Sequence, residues 1–428
     1  SAIPIAGSNV YGRIKRTDPE TGFMLKHLSL TNFRNYVRLE VDFPKGLLIC
    51  VGENAQGKTN LLEAIYYLAT FLSFQAESDR QLIHFLALHQ PLAVARIVAE
   101  YQRGSFNHRL EVRLILEKEN SNGIARIRKE VLLDGVKQKL TAAIGHFSAV
   151  IFLPDSIQII EGPPEERRRF LNLAIGQVNP AYTEALVDFN RALQQRNALL
   201  KLLSERGGDE SQLDFWDGEV SRWGGFLIHA RIQALEELEA MAAPRHRQLT
   251  RGKEGLVVLY LPSYDPYAPA GLQGRFPIEV AVNRRRIPLQ QIQEGYLQAL
   301  RQHRHTDIQK GVTSIGPHRD EIRFLSNGLD LGSYGSRGQT RTAAIALKLA
   351  ELDWIHTKTN HPPIFLLDEV LAELDPFRRL DLLNRLLECE QAILTTTELG
   401  LIDSNFLQRA SIWKIQDGRV HAPAPQRN

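Results

Sequence analysis

Cysteine is almost missing from this chain: Cys50 and Cys389 are the two among 428 residues. A disulfide-stapled fold is excluded, and Cys50, set inside an apolar run, points to a reducing cytoplasm. No apolar run approaches the ~20 residues that a membrane-crossing helix needs. There is no internal repeat and no low-complexity segment. An excess of either charge is lacking too. Lys and Arg number 52 against 49 Asp and Glu, a net +3, too small a surplus to argue by itself for a nucleic-acid partner. What remains is the composition of a globular protein, 43% hydrophobic and 24% charged, in a chain long enough for two domains.

Against that plain background one segment stands out. Gly52-Glu53-Asn54-Ala55-Gln56-Gly57-Lys58-Thr59 is a complete G-x-x-x-x-G-K-[ST]. The apolar run 47–51 before it reads as a buried strand, and the stretch from Asn60 to Leu68 has helical spacing. This strand–loop–helix is the context a phosphate-binding loop requires. Its glycines let backbone N–H groups converge on phosphate, and the helix N-terminus adds partial positive charge. Lys58 then reaches the β- and γ-phosphates of ATP, and the Thr59 hydroxyl is a ligand for Mg²⁺.

Two further motifs follow far downstream. Ile364–Leu367 is a second buried-strand run, ending in Asp368-Glu369. Asp368 fits the metal ligand at the end of such a strand, and Glu369 the general base that activates water. Asp375 sits where a loop touching a second subunit is expected. Between them, Ser336-Arg337-Gly338-Gln339 opens an Ala- and Leu-rich helix. A serine hydroxyl at a helix N-terminus is another anion site. One such site per nucleotide is already supplied by Gly52–Thr59, so the simplest use of the second is to clamp the ATP of a partner in a two-fold dimer.

Strands are expected at 25–30, 37–43, 94–100, 109–117 and 149–153, with a turn at Asn120-Ser121-Asn122-Gly123. Helices are expected over 182–203 and 212–241, separated by Gly207-Gly208-Asp209, and then a Pro/Gly/Tyr-rich loop over 262–274. Residues 1–23 are polar and precede Met24; they are read as an expression-derived tail or a disordered extension, outside the fold. The fold class is α/β. A P-loop ATPase domain over 24–165 and 306–428 is interrupted by a largely helical lobe over 166–305.

Several blocks together resemble the RecF family, relatives of SMC-type and ABC-type ATPase heads. They are Leu30-Thr31-Asn32-Phe33-Arg34-Asn35-Tyr36, the run from Pro154 to Asn172, Gly316-Pro317-His318-Arg319-Asp320, and the run from Leu366 to Arg378. Pro163 and Asn172 depart from the family pattern, where a small residue and an aspartate are usual. The resemblance implies that Arg34, Asn35 and Asn60 join Gly52–Thr59 around ATP, with Mg²⁺ on Thr59 and Asp368. It further implies a slow, DNA-stimulated ATPase acting as a switch in DNA replication, repair and the SOS response. Such a protein is an ATP-dependent homodimer that binds duplex, gapped or junction DNA and helps load the RecA recombinase with RecR and RecO. The switch histidine of the wider ABC class is absent; Thr395-Thr396-Thr397 occupies that region.

Basic residues cluster at Arg167-Arg168-Arg169 and at Arg284-Arg285-Arg286 with Arg301 and Arg304. These are the candidate DNA contacts, reading phosphate rather than base sequence. Two other readings stay open. An ABC transporter subunit would carry a switch histidine, and an SMC-like or nuclease-linked head would carry a long coiled coil or an added domain of metal-binding acids.

Overall fold

The computed structural model describes residues 22–90, 92–117, 126–267 and 284–422. Residues 1–21, the turn expected at Asn120–Gly123 and residues 268–274 of the expected loop lie outside them. Two six-stranded sheets build the ATPase domain. One runs in the order 419–421, 411–416, 46–51, 391–396, 364–368 and 149–152, all parallel except the first. The other is antiparallel, ordered 36–42, 23–33, 93–103, 106–117, 126–133 and 136–138.

The central strand Gly46–Val51 explains its own apolar run. Leu48 and Cys50 face the core shared with the antiparallel sheet and the helix Lys58–Thr70; Leu47 and Ile49 face the core shared with the helices. Alternate residues point to opposite faces, so a strand covered on both sides must be apolar throughout. The 339 residues between Gly46–Val51 and its pairing partner starting at Gln391 do not weaken the register: Thr395 still meets Cys50.

The inserted lobe is helical, as expected, but its limits differ. Its helices are Pro164–Val178, Pro180–Arg206, Leu213–Leu249 and Leu289–Lys310. The boundaries expected at 165/166 and 305/306 would cut the first and last of these. In addition, the strand Leu256–Leu261 pairs with Glu321–Ser326, so the segment beyond 306 is built into the lobe before the chain returns to the ATPase sheet. The helix expected to stop at Met241 continues through Pro244 to Leu249. A mid-helix proline removes one backbone donor and crowds the preceding turn; here packing overrides it. His246 and Leu249 are buried beyond the proline, and Arg245 and Gln248 bind Asp353 and Asp381. Phe23, read as tail, is instead the first residue of a strand and 2% exposed.

Candidate nucleotide site

The P-loop is gripped from two sides. On one, the turn at Arg34–Tyr36 closes over it: Asn35 Nδ2 donates to the Gln56 carbonyl at 3.4 Å, Asn60 Nδ2 to Asn35 Oδ1 at 2.8 Å, and Tyr36 Oη to the Gly57 carbonyl at 3.0 Å. On the other, the C-terminal hairpin donates through the N–H groups of Asp417 to Gln56 Oε1 and of Gly418 to the Gln56 carbonyl. Gly57 has φ +111°, and a Cβ there would come within 2.7 Å of Asn35 Nδ2. Gly52 has no room either, since a Cβ would lie 2.3 Å from the Ile415 carbonyl oxygen. Both glycines are therefore required by close backbone approach.

Lys58 is 3% exposed. Its Nζ donates to the carbonyls of Gly52 and Glu53, both at 2.8 Å, and lies 2.9 Å from Glu369 Oε1. Thr59 Oγ1 lies 3.0 and 2.9 Å from the two oxygens of Asp368. Residues more than three hundred positions apart thus meet. Burial raises the Asp368 pKa, the neighbouring Glu369 adds to this, and hydrogen bonds from Thr395 and Thr59 oppose it. Glu369 has φ 51°, a conformation rare for a side-chain-bearing residue, and its N–H is held by Thr395. Such backbone outliers collect at functional sites.

Thr395, noted in the sequence only as part of the segment that stands in the switch-histidine region, is a site residue. Its hydroxyl donates to Asp368 Oδ1 at 2.6 Å and accepts from the Glu369 N–H at 3.1 Å. It therefore fixes both acids from the segment where other ABC proteins carry histidine. Its β-branched, strand-forming context was the available signal. Arg34 is placed differently from expectation. Its Nε and Nη2 form a bidentate pair with Glu63, at 2.6 and 2.7 Å, so any phosphate contact competes with that pair.

The donor set suits Mg²⁺. Thr59 and Asp368 are hard oxygen ligands, and among the described residues no group of three or more His, Cys, Asp or Glu forms a metal cage. Mg²⁺ at phosphate sites takes one or two protein ligands and leaves the rest to phosphate and water.

Ser336 starts the helix Arg337–Thr359 with a capping box: its hydroxyl accepts from the Gln339 N–H, and Gln339 Oε1 accepts from the Ser336 N–H. Ser336, Arg337 and Gly338 are exposed, while Gln339 Nε2 reaches Glu254 of the helical lobe at 3.2 Å. Asp375 caps the helix Pro376–Glu388, accepting from the N–H groups of Phe377 and Arg378 at 3.1 Å.

The arginines expected to bind DNA divide into two groups. Arg167 is buried against Glu321 and the carbonyls of Ile160 and Gly162. Arg168 binds the Asp320 carbonyl and Glu165, Arg284 is buried on Asp265, and Arg304 is held by Asp214 and Asp217. These four are internal ties of the lobe, which corrects their reading as a phosphate-facing patch. Arg169, Arg285, Arg286 and Arg301 are exposed. His318 and Asp320 are also structural. Asp320 is 1% exposed and receives Arg231, Tyr260 and the Ser263 N–H.

A P-loop, its acidic strand and a signature helix with an exposed N-terminus, joined through a helical insertion, define an ATPase head of the ABC/SMC type. The RecF/RecN/SMC N terminal domain model matches residues 24–414. The DNA replication and repair protein RecF of Geobacillus thermodenitrificans is 36% identical over 401 residues, covering 94% of this chain and 100% of that protein. That of Bacillus subtilis is 34% identical over 397 residues, covering 92% and 99%. A solved structure of the recombination mediator protein RecF with ATP aligns with a TM-score of 0.78 at 31% identity, over 94% of this chain and 98% of that one. The chain belongs to the RecF family. No helix among the described residues is long and apolar enough to cross a membrane.

Proposed function

We propose that this protein is a cytoplasmic, ATP-dependent DNA-binding switch of recombinational repair and replication that works as a two-fold dimer. The carrying observation is the split site. Lys58, Thr59, Asp368 and Glu369 assemble within one chain, whereas the Ser336–Gly338 turn faces solvent. That exposed helix N-terminus is available to the nucleotide of a second copy. In this reading Gly52–Lys58 hold the phosphates, Thr59 and Asp368 hold Mg²⁺, and Glu369 accepts a proton from water. Mg²⁺ would supply charge neutralisation at the β- and γ-phosphates. The Glu369 carboxylate has a partner to set aside first, since it pairs with Lys58; that suits slow turnover. ATP would favour the closed dimer by its differential affinity for it. The wider assignment, to gapped-DNA recognition and RecA loading with RecR and RecO, is supported by membership of the RecF family.

Light scattering on Glu369→Gln tests this, with and without ATP–Mg²⁺ and then with gapped DNA. A monomer that doubles in mass only with ATP is expected. A mass independent of nucleotide would refute the signature's role across the dimer.

A further inference from the structure

Glu254 belongs to the inserted lobe, in the short connection between the helix Leu213–Leu249 and the strand Leu256–Leu261. That connection is fastened on both sides of it. Thr250 Oγ1 accepts from the Glu254 N–H at 3.3 Å. Asn327 accepts from the Gly255 N–H at 2.9 Å and donates to the Lys253 carbonyl at 3.1 Å. The carboxylate is divided between two donors: Ser326 Oγ at 2.8 Å on Oε2, and Gln339 Nε2 at 3.2 Å on Oε1. Gln339 spends its other amide atom on the signature turn, where Oε1 accepts from the Ser336 N–H at 3.1 Å. A carboxylate oxygen only accepts, and a backbone N–H only donates. The amide therefore fits in one orientation, since the flipped one sets oxygen against oxygen and N–H against N–H.

We infer that Glu254 is a positioning residue through which the inserted lobe fixes the Gln339 amide and holds the signature turn in shape. With the amide fixed, Ser336 Oγ accepts from the Gln339 N–H at 3.3 Å. Its own proton meets no acceptor among the described residues and is left to donate outward from an exposed turn. Losing a cap contact is worth a factor of about five. A two-fold dimer uses the turn twice, so its association constant changes by about twenty-five. This consequence rests on the split-site reading above; the positioning itself does not.

Hydrogen exchange of the nucleotide-free full chain, read on peptides spanning 336–339, tests the positioning. Glu254→Ala removes the acceptor, and exchange there rises about fivefold. Glu254→Gln keeps wild-type exchange, because its oxygen accepts from Gln339 while its amide N–H donates to Ser326. Gln339→Glu still offers the Ser336 N–H an acceptor but has no amide to orient; adding Glu254→Ala to it changes nothing further. No rise in Glu254→Ala overturns the inference. So does an equal rise in Glu254→Gln or in the Gln339→Glu background, either of which marks a loop that is merely structural. Light scattering and calorimetry with ATP–Mg²⁺ then read the consequence. In Glu254→Ala the single chain binds ATP within about twofold of wild type, and ATP-driven dimerisation weakens about twenty-five-fold. Faster exchange with unchanged dimerisation overturns the split-site reading and leaves the positioning standing. Wild type that stays monomeric with ATP overturns that reading as well, and the exchange experiment still decides Glu254.

Discussion

Arg167→Met separates a structural arginine from a DNA-binding one. Arg167 is 9% exposed and makes four hydrogen bonds: to Glu321 Oε1 and Oε2 at 2.7 and 3.0 Å, and to the carbonyls of Ile160 and Gly162 at 3.3 and 2.6 Å. Methionine fills much of the volume and leaves the acceptors unpaired. Breaking a buried ion pair by removing one partner costs about 3–5 kcal/mol. Glu321 is 27% exposed and keeps the Ile322 N–H at 2.7 Å, so water and that donor recover part of the loss. The expected destabilisation is about 2–3 kcal/mol, between that figure and one charged hydrogen bond. Urea unfolding followed by circular dichroism measures it. DNA affinity of the folded fraction, by fluorescence anisotropy over a salt series, should keep the wild-type slope. A stability change below about 0.5 kcal/mol, the range of ordinary surface changes, would refute the reasoning. So would a salt slope reduced by about 0.9, the loss of one phosphate contact.

Arg196→Met tests the buried knot of the helical lobe. Arg196 is fully buried between Asp217 at 2.7 Å and Asp307 at 2.8 Å, so removing it should cost about 3–5 kcal/mol. An unchanged denaturation midpoint, read through Trp216 and Trp223 on the neighbouring helix, would sink the assignment. His318 predicts an acid limb. Burial pushes its imidazole down to about 4, helped by Arg319, Arg168 and Arg231, whereas the unfolded side chain titrates near 6.5. The unfolded chain therefore takes up a proton first as pH falls. Stability present above pH 6.5 is lost progressively down to about 4, by up to about 3 kcal/mol. His318→Asn should flatten that part of the pH–stability curve; identical curves would exclude His318 as its source.

The phosphate site was legible because each motif is a local run whose own neighbours enforce its geometry. Gly52–Thr59 needs only a strand before it and a helix after it, and Ile364–Asp368 needs only an apolar strand ending in an acid. What escaped was decided by partners distant in sequence. Arg167 reads as one of three exposed basic residues until Glu321, 154 positions away, is seen against it. Thr395 reads as a strand residue until the parallel register sets it beside Asp368. The helix through Pro244 defeats local propensity for the same reason: its buried face and its bonds to Asp353 and Asp381 are set by helices more than a hundred residues later.

Those distant contacts also tie the inserted lobe to the signature helix. The 37-residue helix Leu213–Leu249 packs along Arg337–Thr359. Glu237 holds Trp354 at 2.8 Å and Lys358 at 2.7 Å, and Arg245 holds Asp353 at 3.1 Å. Glu254 reaches the signature itself through Gln339. Along this side the lobe is tied to the helix by ionic bonds and a continuous apolar core. Toward the P-loop helix, by contrast, the contact at Arg169 is flanked by two cavities. Packing around the contact between the P-loop helix and the lobe is therefore more open than packing along the signature helix.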